Sequence, residues 1–297
     1  MLLRHIRYLL AVADHGNFTR AAEALHVSQP TLSQQIRQFE ESLGVPLLDR
    51  SGRSVRPTDA GEAYIRYARR ALRELEAGQR ATHDVQDLLR GSLRLAMTPT
   101  FTMYLAGPLI ERFHTLHPGI DLRIHEMTQD AIESALADDA IDLAIAFSNV
   151  RSAEVECQSL FVEKLSVVIG NSHPFASRQE PLTPKELQAQ SLALLTTDFA
   201  TRAHVSEYFR KQRIAPRISI EANTISAIVE VVRRGNVVTI LPEAITLENA
   251  ALQRLELRPA LPHRTVALLR RQDGYRSAAS LAFTGLIESM VAHSALP

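Results

Sequence analysis

The chain has 297 residues, enough for two or more compact domains that each bury a core. Its 33 lysine and arginine side chains balance 33 aspartate and glutamate side chains, which fits a protein that binds one DNA site better than one that coats DNA through bulk positive charge. Cys157 is the only cysteine, so an internal disulfide, a cysteine-ligated zinc site and a two-thiol redox switch are excluded as well.

Residues 1–16 predict an amphipathic helix rather than a secretion signal. Charged residues interrupt the apolar core that a signal peptide needs, and no apolar run in the chain approaches the length of a membrane span. The apolar residues instead recur at helical spacing, at Leu2, Ile6, Leu9, Leu10 and Ala13. We therefore expect a cytoplasmic protein that makes no membrane contact.

The next stretch predicts two helices joined by a tight turn. The first covers Thr19–Leu25 and is capped by Asn17 or Thr19; the second follows Ser28, a typical N-cap, with Pro30 in its first turn. Apolar residues in the second helix are spaced by four, three and four positions, which predicts one buried face made of Leu32, Ile36, Phe39 and Leu43.

The opposite face of the second helix is polar and almost free of acidic residues. Glutamine can bond adenine bidentately, serine and threonine contact bases or phosphates, and arginine binds guanine or phosphate. This composition favours a helix that binds DNA, although a plain solvated face remains the alternative. The candidate DNA-binding residues on this helix are Gln29, Pro30, Thr31, Ser33, Gln34 and Arg37.

Residues 45–58 predict a wing, because a serine-glycine turn separates two short extended pieces. Arg50, Arg53 and Arg56 lie in this hairpin, and their position beside the helix pair favours phosphate or minor-groove contact over simple solvation. Arg50 and Arg53 are the stronger candidates. Residues 1–58 hold seven arginines and no lysine against five acidic residues (7 − 5 = +2), so the excess positive charge is small and local.

A long helix is predicted from Asp59 to Leu89, with Asp59 and Glu62 as a capping-box start. At about 1.5 Å per residue such a helix extends roughly 45 Å, more than a small domain needs internally. Its residues follow the four-three alternation of a coiled-coil seam: Tyr64, Ala68, Ala71, Leu75, Gly78, Thr82, Val85 and Leu89. We expect it to pair with its copy in a second chain; the alternative is a helix that lies on its own domain.

These stretches closely resemble the winged helix-turn-helix of LysR-type transcriptional regulators. The matching residues keep a fixed register and are Phe18-Thr19-Arg20-Ala21-Ala22, Leu25, Val27-Ser28-Gln29-Pro30, Leu32-Ser33, Ile36, Glu40, Leu43-Gly44, Pro46-Leu47, Arg50, Arg53, Pro57-Thr58 and Ala60-Gly61. The resemblance implies a homodimer or homotetramer that binds double-stranded promoter DNA, with RNA polymerase as a further partner. It implies a DNA-binding domain at 1–58, a linker helix at 59–90 and an effector-binding domain at 91–297.

After residue 90, short apolar strands alternate with helical segments, which predicts parallel sheets with helices on their faces. The predicted strands are Leu93–Met97, Leu122–Glu126, Leu143–Phe147, Leu165–Ile169, Leu192–Leu195, Ile218–Glu221, Val237–Leu241 and Thr265–Leu269. The family resemblance implies two α/β lobes like those of a periplasmic solute-binding protein. Lobe 1 would comprise 91–161 and 265–297, and lobe 2 would comprise 162–264, with the crossings near Phe161 and Thr265.

Several of these strands end in hydroxyl or amide side chains where a helix is predicted to begin. Ligands collect at the carboxyl ends of parallel strands, where helix N-termini present N–H groups. Each threonine taken alone is better explained as an N-cap, but threonine-rich ends in both lobes indicate a shared site for an anion or a polar ligand. The candidate effector-binding residues are Thr98, Thr100, Phe147, Thr196, Thr197, Thr201 and Asn223, with Phe147 as an apolar wall.

Within the LysR family, the chain resembles regulators of cyanate-utilisation operons, through both its DNA-binding region and its effector region. The similar segments are RGSLRLAMTPTFT from Arg90, DFATR from Asp198, IEANTISAIVEVVRR from Ile220 and ALLRR from Ala267. The resemblance implies cyanate or a similar small anion as effector, which suits clustered threonine hydroxyls. The alternatives are a family member that responds to an aromatic or organic acid, and a small-solute receptor without a DNA function.

An enzyme is the rival class, and the motifs argue against it. The histidines at 114, 117, 125 and 173 lack metal-ligand spacing, and Cys157 has no neighbouring histidine. The sequence also contains no glycine-rich phosphate loop and no nucleophile elbow. We therefore predict no catalytic residue, no metal site and no cofactor.

Overall fold

The computed structural model describes residues 3–52, 54–83, 88, 90–247 and 249–293. Arg53, a predicted DNA contact, lies outside these residues, as do Val85 and Leu89 of the predicted seam. The chain divides into two compact units, residues 1–80 and 81–297, and each is described by itself.

The first unit is mostly helical. Its elements in chain order are α1 (Leu3–His15), α2 (Phe18–Ala24), α3 (Gln29–Leu43), β1 (Leu48–Asp49), β2 (Arg56–Pro57) and α4 (Asp59–His83), the last of which reaches the boundary of the unit. Strand β1 pairs with β2 antiparallel, with Leu48 opposite Pro57. The predicted helix-turn-helix, α2 and α3, is therefore followed by the predicted wing.

Local capping signals start both helices of this motif. Asn17 Oδ1 accepts a hydrogen bond from the Thr19 N–H at 2.8 Å, so α2 begins at Phe18 and Asn17 is its cap. Ser28 Oγ accepts a hydrogen bond from the Thr31 N–H at 3.3 Å, and α3 begins one residue later. Of the two caps predicted for α2, Asn17 is thus confirmed, whereas Thr19 lies inside the helix.

The predicted buried face of α3 holds for three of its four residues. Leu32, Ile36 and Phe39 are at most 1% exposed and lie in the core of the unit. Leu43 is 38% exposed, so the prediction is wrong there. It is the last residue of α3, and the chain turns away at Gly44, whose left-handed φ of 71° favours glycine.

The first turn of helix α4 packs against Leu47, which immediately precedes β1. Thr58 Oγ1 accepts a hydrogen bond from the Gly61 N–H at 3.0 Å, and the Thr58 carbonyl accepts one from the Glu62 N–H at 2.7 Å. The cap is therefore Thr58, and the prediction of a capping box at Asp59 is wrong by one residue. A Cβ at Gly61 would lie only 1.9 Å from the Leu47 carbonyl oxygen, so this close approach requires glycine.

The first turns of α4 pack on their own unit. Ile65 and Ala68 are 6% and 4% exposed and belong to the core that lies beneath α3. This part of α4 therefore lies on its own domain, which was the alternative to pairing with a second chain. Further along, Leu75 of the predicted seam is 55% exposed in the single chain, and its pairing with a second chain stays a prediction.

The second unit alternates strands and helices. Its strands are β3 (Gly91–Met97), β4 (Ile120–Glu126), β5 (Leu143–Phe147), β6 (Val155–Glu163), β7 (Leu165–Gly170), β8 (Ser191–Leu195), β9 (Arg217–Ala222), β10 (Thr239–Pro242), β11 (Leu252–Leu255) and β12 (Arg264–Arg271). Its helices are α5 (Pro99–Tyr104), α6 (Ala106–Leu116), α7 (Gln129–Ala137), α8 (Pro184–Gln188), α9 (Ala200–Gln212), α10 (Ile225–Arg234), α11 (Ala244–Leu247) and α12 (Ala278–Ala292). Within the described part of the chain, no helix combines the length and the apolarity needed to cross a membrane.

The sheets define two lobes. Lobe 1 has the strand order β4-β3-β5-β12-β6, and lobe 2 has the order β10-β7-β11 together with the pair β8-β9. Strand β3 is parallel to β4 and β5, and β8 is parallel to β9. The pairs β12 with β5 and β6, and β7 with β10 and β11, are antiparallel. The two-lobed α/β architecture is thus confirmed, but the expectation of parallel sheets is wrong, because parallel and antiparallel pairs occur in both lobes.

The chain crosses between the lobes close to the predicted points. It leaves lobe 1 at Lys164, between β6 and β7, and returns through residues 256–263, between β11 and β12. Phe161 and Thr265, the predicted crossing points, instead lie inside β6 and β12. Two strands next to the crossings, β6 and β11, are absent from the predicted set. Buried and partly exposed residues mix along β6, and polar residues interrupt its sequence, so it contains no continuous apolar run.

Candidate functional site

The outward face of α3 presents polar side chains to solvent. Apart from the half-buried Ser33, the predicted DNA-binding residues on this helix are exposed: Gln29, Pro30, Thr31, Gln34 and Arg37. No acidic residue occurs in the sequence between Gln29 and Arg37, so no local carboxylate opposes the approach of a phosphate backbone. Thr31 Oγ1 and Ser28 Oγ lie 2.7 Å apart, which orients the Thr31 hydroxyl at the start of the helix.

Gln35 ties α3 to α1 on the flank of this face. Arg4 Nη2 donates to Gln35 Oε1 at 3.0 Å, and His5 Nε2 lies 3.1 Å from the same oxygen. Arginine only donates, so the shared atom is the amide oxygen, and Gln35 Nε2 donates to Gln38 Oε1 at 3.1 Å. No sequence signal indicates this network, because it depends on what α1 brings against α3.

Arg50 holds the wing to the recognition helix. Its Nη2 lies 2.6 Å from Glu40 Oε2, and its guanidinium carbon lies 5.2 Å from the centre of the Phe18 ring. Glu40 Oε1 also accepts hydrogen bonds from the N–H groups of Leu47 and Leu48, at 2.9 and 3.0 Å. Contact between Arg50 and a phosphate stays a prediction; what the structure shows is that this arginine positions the hairpin relative to α3.

Four of the predicted effector residues line one small cavity in the second unit. They are Thr98, Thr100, Phe147 and Thr201, which come from both lobes. The cavity also includes Pro99, Thr128, Gln129, Phe199 and Ala200. An adjoining cleft is much larger, so a small ligand suits the cavity and a larger ligand suits the cleft.

The hydroxyls of Thr98 and Thr100 are buried at this cavity and have no hydrogen-bond partner among the described residues. Thr98 occupies the N-cap position of α5, yet its side chain makes no capping bond. Capping therefore does not explain the Thr98 hydroxyl, although this was the alternative interpretation of the sequence. An unsatisfied buried hydroxyl costs about 1–3 kcal/mol, so a ligand that bonds to both would recover this free energy.

Arg264 stands behind two residues of this cavity. Its Nη1 donates to Thr201 Oγ1 at 3.0 Å, and its guanidinium carbon lies 4.1 Å from the centre of the Phe147 ring. Arg264 Nε also donates to the buried Glu163, which accepts a second hydrogen bond from Tyr104 Oη at 2.6 Å. Arg264 Nη2 is buried and has no partner among the described residues. Sequence reasoning missed this arginine, because it is distant along the chain from every residue that it contacts.

The protonation states in this cluster follow from burial and charge. Desolvation lowers the pKa of the Arg264 guanidinium, while Glu163 opposes this shift, and arginine stays protonated in proteins. Desolvation, with the nearby charge of Glu163, raises the pKa of Tyr104 far above its ordinary value, so the phenol is neutral. The cluster therefore holds one buried positive charge and its counter-ion beside the Thr201 hydroxyl.

The adjoining wider cleft shares Thr128, Gln129, Phe199 and Ala200 with the small cavity. It contains Thr197, and its charged lining residues are Asp130, Arg151 and Asp198. Thr196 and Asn223 line neither of these two spaces. Within the described ranges, no group of three or more histidine, cysteine, aspartate or glutamate side chains could hold a metal ion.

A winged helix-turn-helix followed by a two-lobed α/β unit with a cavity at threonine-rich strand ends is typical of ligand-responsive DNA-binding regulators. The bacterial regulatory helix-turn-helix protein family, lysR, matches residues 3–62, and the LysR substrate binding domain matches residues 86–292. The chain therefore belongs to the LysR family of DNA-binding transcriptional regulators.

Relatives match along nearly the whole chain. A hydrogen peroxide-inducible genes activator of Dickeya chrysanthemi is 30% identical over 275 residues, which are 91% of this chain and 90% of the relative. A RuBisCO operon transcriptional regulator of Allochromatium vinosum is 29% identical over 293 residues, 98% of this chain and 96% of the relative. Both relatives are transcriptional regulators, so the prediction that the chain is not an enzyme is confirmed.

Solved structures share the fold. A full-length OxyR variant from Pseudomonas aeruginosa aligns with a TM-score of 0.68 and 26% identity, covering 98% of this chain and 94% of that protein. Full-length CbnR in complex with its target DNA aligns with a TM-score of 0.66 and 23% identity, covering 97% and 99% of the two chains. At this low identity, the likeness to CbnR supports the architecture alone.

Proposed function

We propose that this regulator responds to a small anion, cyanate or one of similar size, bound in the cavity between Thr98, Thr100, Phe147 and Thr201. The observation that supports this most is the pair of buried threonine hydroxyls without partners, in a cavity where a further threonine, Thr201, accepts a hydrogen bond from the buried Arg264. The resemblance to regulators of cyanate-utilisation operons supports the same ligand class. Ligand binding between the lobes would shift their arrangement and so change the DNA-bound state.

The proposed organisation comprises a DNA-binding domain at 1–58, a linker helix at 59–90 and an effector domain at 91–297. Tyr67 and Leu75 on α4 are 71% and 55% exposed, which supports pairing of this helix with a second copy. A homodimer or homotetramer would then present two copies of α3 to a two-fold operator in cytoplasmic DNA. RNA polymerase is a further proposed partner.

A larger organic or aromatic acid is the second candidate effector. The wider cleft that includes Thr197 favours it, because this cleft is the larger of the two spaces and contains Arg151, whose guanidinium could bind a carboxylate. Sensing of an oxidant through an internal disulfide is not available to this chain, since Cys157 is its only cysteine. The two remaining effector classes differ in size and can be separated by direct binding.

Calorimetry of the full chain with cyanate and azide, and separately with benzoate, tests the effector class. We expect heat of binding with both small anions and none with benzoate, because the small cavity is much the narrower of the two spaces and an aromatic acid needs the wider cleft. Heat with benzoate alone would overturn the small-anion proposal in favour of the wider cleft. A gel shift on the promoter region beside the gene, with and without cyanate, then tests whether binding alters the protein–DNA complex.

Substituting Gln29 or Gln34 with alanine is expected to relax sequence discrimination, at about 1–3 kcal/mol for each base that the helix no longer binds. Arg50→Ala is expected to weaken binding to operator and to random DNA nearly equally. Arg50 positions the wing through Glu40 and is predicted to contact a phosphate, and neither role involves a base. Titration of each variant with operator and with random DNA measures the difference. Equal losses on both DNAs for the glutamine variants would contradict base contact by α3.

A further inference from the structure

Two oppositely charged side chains face each other at the point where the chain changes lobes. Glu163 is the last residue of β6 and Arg264 is the first residue of β12, and they are direct partners in the register of these antiparallel strands. Their side chains are 3% and 8% exposed. The pair therefore has little screening by solvent, and its charges act strongly on anything bound nearby.

The Arg264 side chain connects both lobes at the cavity. Phe147, over whose ring the guanidinium lies, ends β5 of lobe 1, whereas Thr201, its hydrogen-bond partner, lies on α9 of lobe 2. Both contacts line the small cavity. The guanidinium has five N–H groups, and Nη2 contributes the two that have no partner among the described residues.

Resting on the proposal that the effector is a small anion, we propose that Arg264 is the residue that selects an anion at this site. Glu163 is its resident counter-ion and a positioning residue. Glu163 keeps the guanidinium beside Thr201 and Phe147, and its negative charge opposes the arrival of a second anion. Anion affinity then depends on how well the ligand competes with Glu163 for the one buried positive charge of Arg264.

This arrangement has a consequence that a purely structural ion pair would not have. If Glu163 is made neutral with its shape kept, as in Glu163→Gln, a buried positive charge is left without a counter-ion and the free protein is destabilised. A bound anion would then supply the missing negative charge. The variant should therefore be less stable without anion and be stabilised more by anion than the wild type is.

The chain offers a matched control on the same two strands. Glu156 of β6 and Arg270 of β12 form another cross-strand pair in the same register, with Arg270 Nη2 2.6 Å from Glu156 Oε1. Neither residue lines the small cavity. Glu156→Gln removes the same charge from the same sheet, so it should leave anion binding unchanged.

The experiment is calorimetry and thermal unfolding of the full chain with cyanate, azide and neutral linear cyanamide. For wild type we expect binding of both anions and weaker binding of cyanamide. Arg264→Gln should lower anion affinity about tenfold to a hundredfold, to the level of cyanamide, because the buried positive charge behind the cavity is removed. Glu163→Gln should raise anion affinity by at least about tenfold, because a like charge near the ligand is removed.

Arg264→Lys keeps the charge but not the planar guanidinium, so it should lose less anion affinity than Arg264→Gln. This second variant keeps the test decisive if Arg264→Gln fails to fold. Anion affinity in Arg264→Gln equal to that of wild type, or affinity in Glu163→Gln no greater than that of wild type, would overturn this inference alone. Failure of wild type to bind either anion would instead overturn the proposed effector class, and this inference with it.

Discussion

Replacing Phe39 with alanine is expected to abolish operator binding while effector binding is retained. Phe39 is 1% exposed on the buried side of α3. Its ring centre lies 5.6 Å from that of His5 on α1 and 5.5 Å from that of Tyr64 on α4. It therefore joins three helices of the first unit. Truncating a buried phenylalanine to alanine costs about 3–5 kcal/mol, and a core in a unit of this size rarely supplies more than about 3–5 kcal/mol.

The loss should be confined to the first unit, because the core cluster that contains Phe39 is composed of residues from that unit. Gel shift with operator DNA, far-UV circular dichroism and calorimetry with cyanate on the same full-length sample would report the two units separately. Leu43→Ala is the matched control, because Leu43 is a large apolar residue on the same helix but its side chain is 38% exposed. Operator affinity within a few-fold of wild type for Phe39→Ala would contradict the assigned core.

The first unit could be predicted closely because its signals are local. Ser28 and Pro30 start α3, Gly44 ends it, and the apolar spacing between them predicts which side is buried. The errors also have local causes. Thr58 and Asp59 are adjacent and can both cap a helix, and only the hydrogen bond from Gly61 to Thr58 decides between them.

The second unit could be predicted less completely, because its pairing is long-range. Strands β3, β5 and β7 could be predicted to within a few residues, because most of their residues are apolar and buried. Strand β6 mixes exposed and buried residues, so its sequence resembles a loop. The direction of β12 depends on the return of the chain from lobe 2, which no short segment encodes.

The candidate effector site also contains residues that local signals predict and one that only long-range contacts place. The threonines at 98, 100 and 201 and Phe147 could be predicted because each lies at a strand end or a helix start, where ligands collect. Arg264 could not, because it reaches Thr201 across 63 positions of sequence and Glu163 across 101. Local patterns thus identify the neutral donors of the site, while the charge that we propose to select its ligand is placed by tertiary structure alone.

Substituting Gly61 with valine is expected to displace the start of α4 and to destabilise the first unit. A Cβ at this position would lie 1.9 Å from the Leu47 carbonyl oxygen and 2.9 Å from its carbonyl carbon, and backbone atoms cannot move aside as a flexible side chain can. Leu47 is 1% exposed, and Leu47 and Leu48 are held to α3 by their hydrogen bonds to Glu40. Moving this segment would therefore disturb the wing and the recognition helix together.

We expect Gly61→Val to cost at least about 3 kcal/mol, the upper range for overpacking, and to reduce operator affinity because the wing moves relative to α3. Gly78→Ala is the matched control: it lies on the same helix with no atom within 4 Å of its added Cβ, and alanine should stabilise the helix there by about 1 kcal/mol. Urea unfolding followed by circular dichroism measures both changes. A Gly61→Val variant as stable as wild type would show that α4 does not press on Leu47 in solution.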